Sequence, residues 1–247
     1  MEIDNEFGRP EPMSGMVAAS ARHRLAFVQK VYGVFLLGIV SSLTASALLF
    51  AGPSAQLGSN RSGQDVVVPL LVMGVLKNYF AVVIAFFVLF FVARAVRRTP
   101  GLNLLALLAF TAVSGVMVTP RVWIATVTAP GTVPLAGALT TLMFVGLSAY
   151  AFFSRGDFNF LGAGLTVALL GLIGGGLLNA FFFQSPWAHM AMAWGALVIF
   201  SGFIVYDTAR ILRDSDTDDV VSAALELYLD VINLFLALLD ILGGNRR

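Results

Sequence analysis

Hydrophobic residues run along this chain in blocks of about twenty, divided by short polar joints. A bilayer core about 30 Å thick takes roughly 20 apolar residues per helix, at a rise of about 1.5 Å each. The blocks at 31–52, 79–96, 101–119, 132–153, 160–182, 188–212 and 221–242 meet that length, which predicts seven transmembrane helices. Residues 66–76 form an apolar approach to the second block. The joint at 53–65, PSAQLGSNRSGQD, has the Pro, Gly, Ser and Asn of a flexible loop and leaves no room for a second domain. Residues 1–29 are polar, contain Pro10 and Pro12, and lack the short apolar core and cleavage site of a leader. The expected organisation is a polar N-terminal tail, 1–29, followed by a single transmembrane domain, 30–247, in an all-α membrane protein.

Composition agrees with this pattern. The chain is 58% hydrophobic and 12% charged, with a mean hydropathy of +0.88, against about 45–50% and 25% for soluble domains. A net charge of +1 offers no basic field, so no nucleic-acid partner is expected. The absence of cysteine excludes disulfides, Fe–S clusters, thiolate-bound haem or zinc, and cysteine nucleophiles. With only His23 and His189, and no HExxH, zinc hydrolysis is disfavoured. Lys30 and Lys77, the only lysines, lie outside the apolar blocks and rule out a retinal Schiff base. The chain is expected not to be an enzyme and to carry no cofactor.

Positive charges in the loops set orientation. With the N-terminus inside, the cytoplasmic side collects Arg9, Arg22, Arg24, Lys30, Arg94, Arg97, Arg98, Arg155, Arg210 and Arg213, and the opposite side Arg61, Lys77, Arg121, Arg246 and Arg247. The imbalance favours a cytoplasmic N-terminus, in a protein read as belonging to a bacterial inner membrane.

The first five blocks hold no acidic residue, whereas the last two and their junction contain Asp207, Glu226, Asp230 and Asp240. Carboxylates in transmembrane helices cost a few kcal/mol on insertion scales, so they face the bundle interior and mark ion paths or proton relays. At 100° per residue, Glu226, Asp230, Asn233 and Asp240 fall within about 80° of one another, a single polar stripe of pore-lining candidates. If the last two helices turn back at 214–219, Asp207 lies about 9 Å and Asp230 about 15 Å above the turn, close enough to meet. Arg210 lies one helical turn from Asp207, and Arg94, Arg97 and Arg98 end the second helix on the same side. A carboxyl pair so placed is expected to share a proton and titrate as one unit, so that protonation changes the Asp207–Asp230 pairing and the cytoplasmic seal. The plainer alternatives are that Asp207 merely pairs with Arg210, and that Asp207, Glu226 and, at the far interface, Asp240 are interfacial residues reaching water.

At these residues the chain resembles bacterial members of the Bax inhibitor-1 family, the transmembrane Bax-inhibitor-motif proteins. The matching segments are ALELYLDVINLFLALLDIL (224–242), YDTARIL (206–212) and GLSAYAFFSRGDFNFLGAGL (146–165). The resemblance implies a seven-helix fold with the last helix surrounded by the other six, and bacterial members described as pH-sensitive calcium leak channels. It implies that Asp207 and Asp230 match the family's pH-sensing aspartate pair, with calcium as the transported ion they would contact. The family's gating arginine falls on Arg97, counted from SGV (114–116), with Arg94 and Arg98 as neighbours. Val231 stands where the family usually has phenylalanine, and Asp240 where a basic residue is common. Some bacterial relatives instead restrain a membrane-embedded ATP-dependent protease, and a proton-coupled cation exchanger fits the same residues. The expected partners are therefore the lipid bilayer, calcium ions and protons, with a membrane protease as the alternative.

Other motifs carry less. Asp214-Ser-Asp216-Thr-Asp218 copies the start of an EF-hand loop, but Asp219 replaces the turn glycine and Leu225 the bidentate glutamate. The segment reads as an acidic turn capping the last helix. Ser148 and His189 would lie about 20 Å apart in depth, too far for a serine protease pair. Gly171, Gly174, Gly175 and Gly176 read as close helix packing or local bending, and Phe181, Phe182, Phe183 and Trp187 as an interfacial aromatic belt.

Overall fold

The computed structural model describes residues 13–59, 65–154, 156, 158–213 and 219–244. The acidic turn Asp214–Asp218 lies outside the described residues, as do Arg9, Arg61, Arg155, Arg246 and Arg247. The elements in order are α1 (Met13–Phe50), β1 (Ser54–Ser59), β2 (Asp65–Pro69), α2 (Leu70–Lys77), α3 (Tyr79–Ala95), α4 (Leu102–Thr128), α5 (Thr132–Phe153) and α6 (Asn159–Leu178). A π-helical turn at Asn179–Phe183 follows, then α7 (Pro186–Arg213) and α8 (Val220–Gly244).

The chain is an all-α membrane protein, but its span count differs from the expected seven. Among the described residues five helices are long and apolar enough to cross a bilayer, and a sixth is gained if α2 and α3, bent by 78° at Asn78, form one broken span. α8, the block expected to be the seventh span, is not among these. It packs against four helices, α1, α4, α5 and α7, rather than being surrounded by all six others as expected. Twelve of its residues are buried, from Val221 to Leu239.

Two joints also differ. The joint expected to be a flexible loop carries a strand over its described part: β1 (Ser54–Ser59) pairs antiparallel with β2, Ser54 opposite Pro69, Ala55 opposite Val68 and Gln56 opposite Val67. The β-branched run Val66–Val68 favours a pleated strand over the helix its hydropathy suggests, and Gly58 takes the positive φ of +118° that the bend needs. The Trp123 indole N–H donates to the Val67 carbonyl at 3.2 Å, fixing the hairpin to α4. α4 itself passes through Pro120 and ends at Thr128 instead of 119. Proline removes one ladder hydrogen bond, which membrane helices tolerate when neighbouring helices cover the site, and Pro120 is buried.

The α1–α4 contact is built from small and hydroxyl-bearing residues, as helices packed in lipid require. Gly115 lies so close to α1 that a Cβ there would strike the Ser42 carbonyl, and one on Gly38 would meet Thr111 Cγ2 at 3.1 Å. Thr119 Oγ1 bonds Ser46 Oγ at 2.8 Å. From α8 the fully buried Tyr228 hydroxyl donates to Ser42 Oγ at 3.0 Å. Of the α6 glycines singled out above, Gly171 and Gly174 face open space, and Gly175 and Gly176 make ordinary contact with Met192. Close α6–α7 approach instead uses Gly162, against the Tyr206 ring, and Gly202, against Leu165. At the end of α7, Arg213 donates to the Ser154 and Gly156 carbonyls beyond α5 and lies over the Phe158 ring.

Gly115→Ala is expected to lower thermal stability in detergent by roughly 1–3 kcal/mol, the usual cost of overpacking. Gly137→Ala, whose Cβ would meet nothing within 4 Å, is expected to leave stability unchanged or raise it. Thermal unfolding followed by circular dichroism would check both.

Candidate functional site

α7 and α8 run side by side, joined across 214–218, so the last turns of α7 face the first turns of α8. This brings Asp207 and Arg210 opposite Glu226 and Asp230. Asp207 and Asp230 are buried, at 7% and 5% exposure. Their carboxyl groups lie within hydrogen-bonding reach of each other. Ionised carboxylates are acceptors only, so a hydrogen bond between them requires that one carry a proton. Asp230 Oδ2 is a buried oxygen without a donor among the described residues.

Arg210 is the positive centre of the cluster. It donates to Glu226 Oε2 at 2.8 Å and approaches Asp207 Oδ1 at 3.9 Å. From α3, Arg94 Nη1 stands 3.9 Å from Glu226 Oε1. Arg97, expected to fall on the family's gating position, lies beyond the end of α3 with its Nε 3.6 Å from Asp219 Oδ2. Asp219 also accepts the Ser222 N–H at 3.0 Å and so caps the start of α8.

A groove of about 1240 Å³ runs from this cluster along α8. Its floor is the expected polar stripe, Glu226, Asp230, Asn233 and Asp240, together with Leu229, Leu236 and Ala237. Asn233 is turned back onto its own helix, donating to the Leu229 carbonyl at 2.7 Å. Aromatic residues of α3, including Phe86, Phe87 and Phe90, line one wall; α6 and α7 form the other. At the far end Asp240 Oδ2 is 3.5 Å from both Arg121 Nη1 and His189 Nε2. Asp240 is thus ion-paired with Arg121 and in contact with the His189 imidazole.

The sequence reading did not anticipate Arg121 or His189 as partners of Asp240. Arg121 and Asp240 lie toward the C-terminal ends of α4 and α8 and His189 in the first turn of α7; their meeting depends on how the three helices pack. Ser148 Oγ is 3.4 Å from Thr208 Oγ1. Phe181, Phe182, Phe183 and Trp187 are strongly exposed. Among the described residues no group of three or more His, Cys, Asp or Glu is placed to hold a metal ion. Asp207 and Asp230 offer two carboxyl groups, well short of the six to eight oxygens that resident calcium takes.

Comparison with known proteins adds an independent line. Residues 24–247 match the model of a family described as "Inhibitor of apoptosis-promoting Bax1". The chain is 34% identical over 239 residues to mouse Protein lifeguard 4, covering 95% of this chain and 91% of that protein. It is also 34% identical over 236 residues to the Golgi anti-apoptotic protein of vaccinia virus strain Lister, covering 95% and 92%. A bacterial relative, an uncharacterized membrane protein of Vibrio cholerae, is 41% identical over 114 residues, 46% of this chain and 50% of that one.

Arg210→Met should destabilise the protein by on the order of 3 kcal/mol, because it leaves Glu226 and Asp207 without their shared counter-charge. Arg97→Ala, which removes a half-exposed pair, should cost less than about 1 kcal/mol. Restoring part of the loss with Glu226→Gln in the Arg210→Met background, read by thermal unfolding, would identify the orphaned carboxylate as the cause.

Proposed function

The chain belongs to the family of inhibitors of apoptosis-promoting Bax1, and from that premise we propose that it is a pH-sensitive calcium leak channel gated by the Asp207–Asp230 pair. The observation that carries this reading is a buried carboxyl pair, Asp207 and Asp230, at one end of a groove whose floor is lined by further carboxylates; we take the pair to share a proton, since two adjacent buried carboxylates cannot both keep their charge. Loss of the shared proton leaves two negative charges within hydrogen-bonding reach and no bond between them, and separation of the α7 and α8 ends relieves the repulsion. Arg210 and Glu226 hold those ends together, and Arg94 adds α3 to the seal. Hard cations prefer carboxylate oxygens, so calcium suits Glu226, Asn233 and Asp240 as it passes.

In this reading α2 with α3 makes one broken span and α8 a seventh, central segment. The N-terminus is cytoplasmic, the membrane is a bacterial inner membrane, and the protein is neither an enzyme nor the carrier of a resident cofactor. Regulation of a membrane-embedded protease, or proton-coupled cation exchange, is the outcome to consider if no leak is found.

Calcium entry into dye-loaded liposomes, measured from pH 5 to 8, tests the proposal. Wild type is expected to leak in a pH-dependent manner, with Asp207→Asn and Asp230→Asn abolishing or shifting that dependence. Flux no greater than that of empty liposomes at every pH would overturn it.

A further inference from the structure

The groove has a second end. There Asp240 of α8 lies between Arg121 of α4 and His189 of α7, its Oδ2 3.5 Å from a nitrogen of each. The cytoplasmic-side cluster repeats this plan: Glu226 of α8 lies between Arg94 of α3 and Arg210 of α7. At both ends one α8 carboxylate ties an arginine of the α3–α4 wall to a basic side chain of the α7 wall. Glu226 and Asp240 share the groove face of α8 and, fourteen residues apart, are separated by about 21 Å. Asp240 also borders a second cavity of about 530 Å³, lined by Asn179, Gln184, Ser185 and Gly244. It therefore stands where the groove meets the space beyond it.

We propose that Asp240 is a second gating carboxylate, locking the far end of the groove through Arg121 and His189. The walls cannot part at that end without breaking its contacts. Arg121 and His189 are about half exposed, so both have water to turn to on release, and the lock opens reversibly. The freed Asp240 carboxylate then faces the opening as the first negative group a cation meets. Two locks on one groove let either end open alone, which the aspartate pair by itself does not provide. The inference deepens the transport reading and rests on it for its purpose, while the lock itself is testable without flux.

The chain has no cysteine, so Ala237→Cys places a unique thiol on the groove face three residues inside Asp240. Full-length protein in oriented membranes is exposed, one face at a time, to a membrane-impermeant methanethiosulfonate reagent. Labelling should be slow with Ala237→Cys alone. Adding Asp240→Asn or Arg121→Gln should speed labelling about fivefold, the scale set by a half-exposed ion pair, from one face only, whereas Asp240→Glu should restore the slow rate. Adding Arg94→Gln should leave the rate from that face unchanged. Equal rates with and without Asp240→Asn would overturn the lock even in a protein that leaks calcium. Lock-dependent labelling in a protein that carries no calcium would overturn the transport reading alone.

Discussion

A carboxylate enclosed by apolar helices has to be neutralised, by a proton or by a cation held close to it, because the surroundings cannot solvate its charge. Asp207, Glu226, Asp230 and Asp240 lie in or border such surroundings, and the arrangement of the last two helices follows from how each charge is met. Glu226 and Asp240 are met by basic side chains brought from neighbouring helices. Asp207 and Asp230 are met by each other, which works only with a proton between them, and by Arg210 at the edge of the pair. Removing one partner from such a cluster costs far more than the pair contributes, because the remaining charge is left buried.

α8 serves two environments at once. Toward α1 and α4 it presents the fully buried Tyr228, whose phenolic hydroxyl is bonded to Ser42. Toward the groove it presents the acidic stripe. The first face is fixed by close packing, and the glycine and serine positions of the α1–α4 seam leave it no room to shift. The second face is fixed by ion pairs, whose strength depends on protonation and on access to water. A rigid seam on one side and charge-dependent contacts on the other confine rearrangement to the α3 and α7 sides of the helix.

The ends of the groove differ in kind despite their common plan. At the Asp207–Asp230 end two buried carboxyl groups lie side by side with Arg210 at their edge. At the Asp240 end a single carboxylate meets a pair of half-exposed basic groups.

Block length and polarity alone determined the membrane class, most helix limits, and the gathering of carboxylates on one face of the last helix. These follow from the thickness of the bilayer core and the angular step of a helix, which act on each segment separately. The bounds of α5 were read to the residue, and those of α7 and α8 to within two. The pairing of 54–59 with 65–69, the continuation of α4 through Pro120, and which helices pack on α8 needed the fold, because each depends on what covers the segment. Partner choice was also decided there. Arg94 rather than Arg97 reaches Glu226, and Arg121 with His189 reaches Asp240, since a nitrogen within about 4 Å of an oxygen is a matter of how separate helices cross. Sequence spacing fixes neighbours along one helix; only packing fixes neighbours between helices.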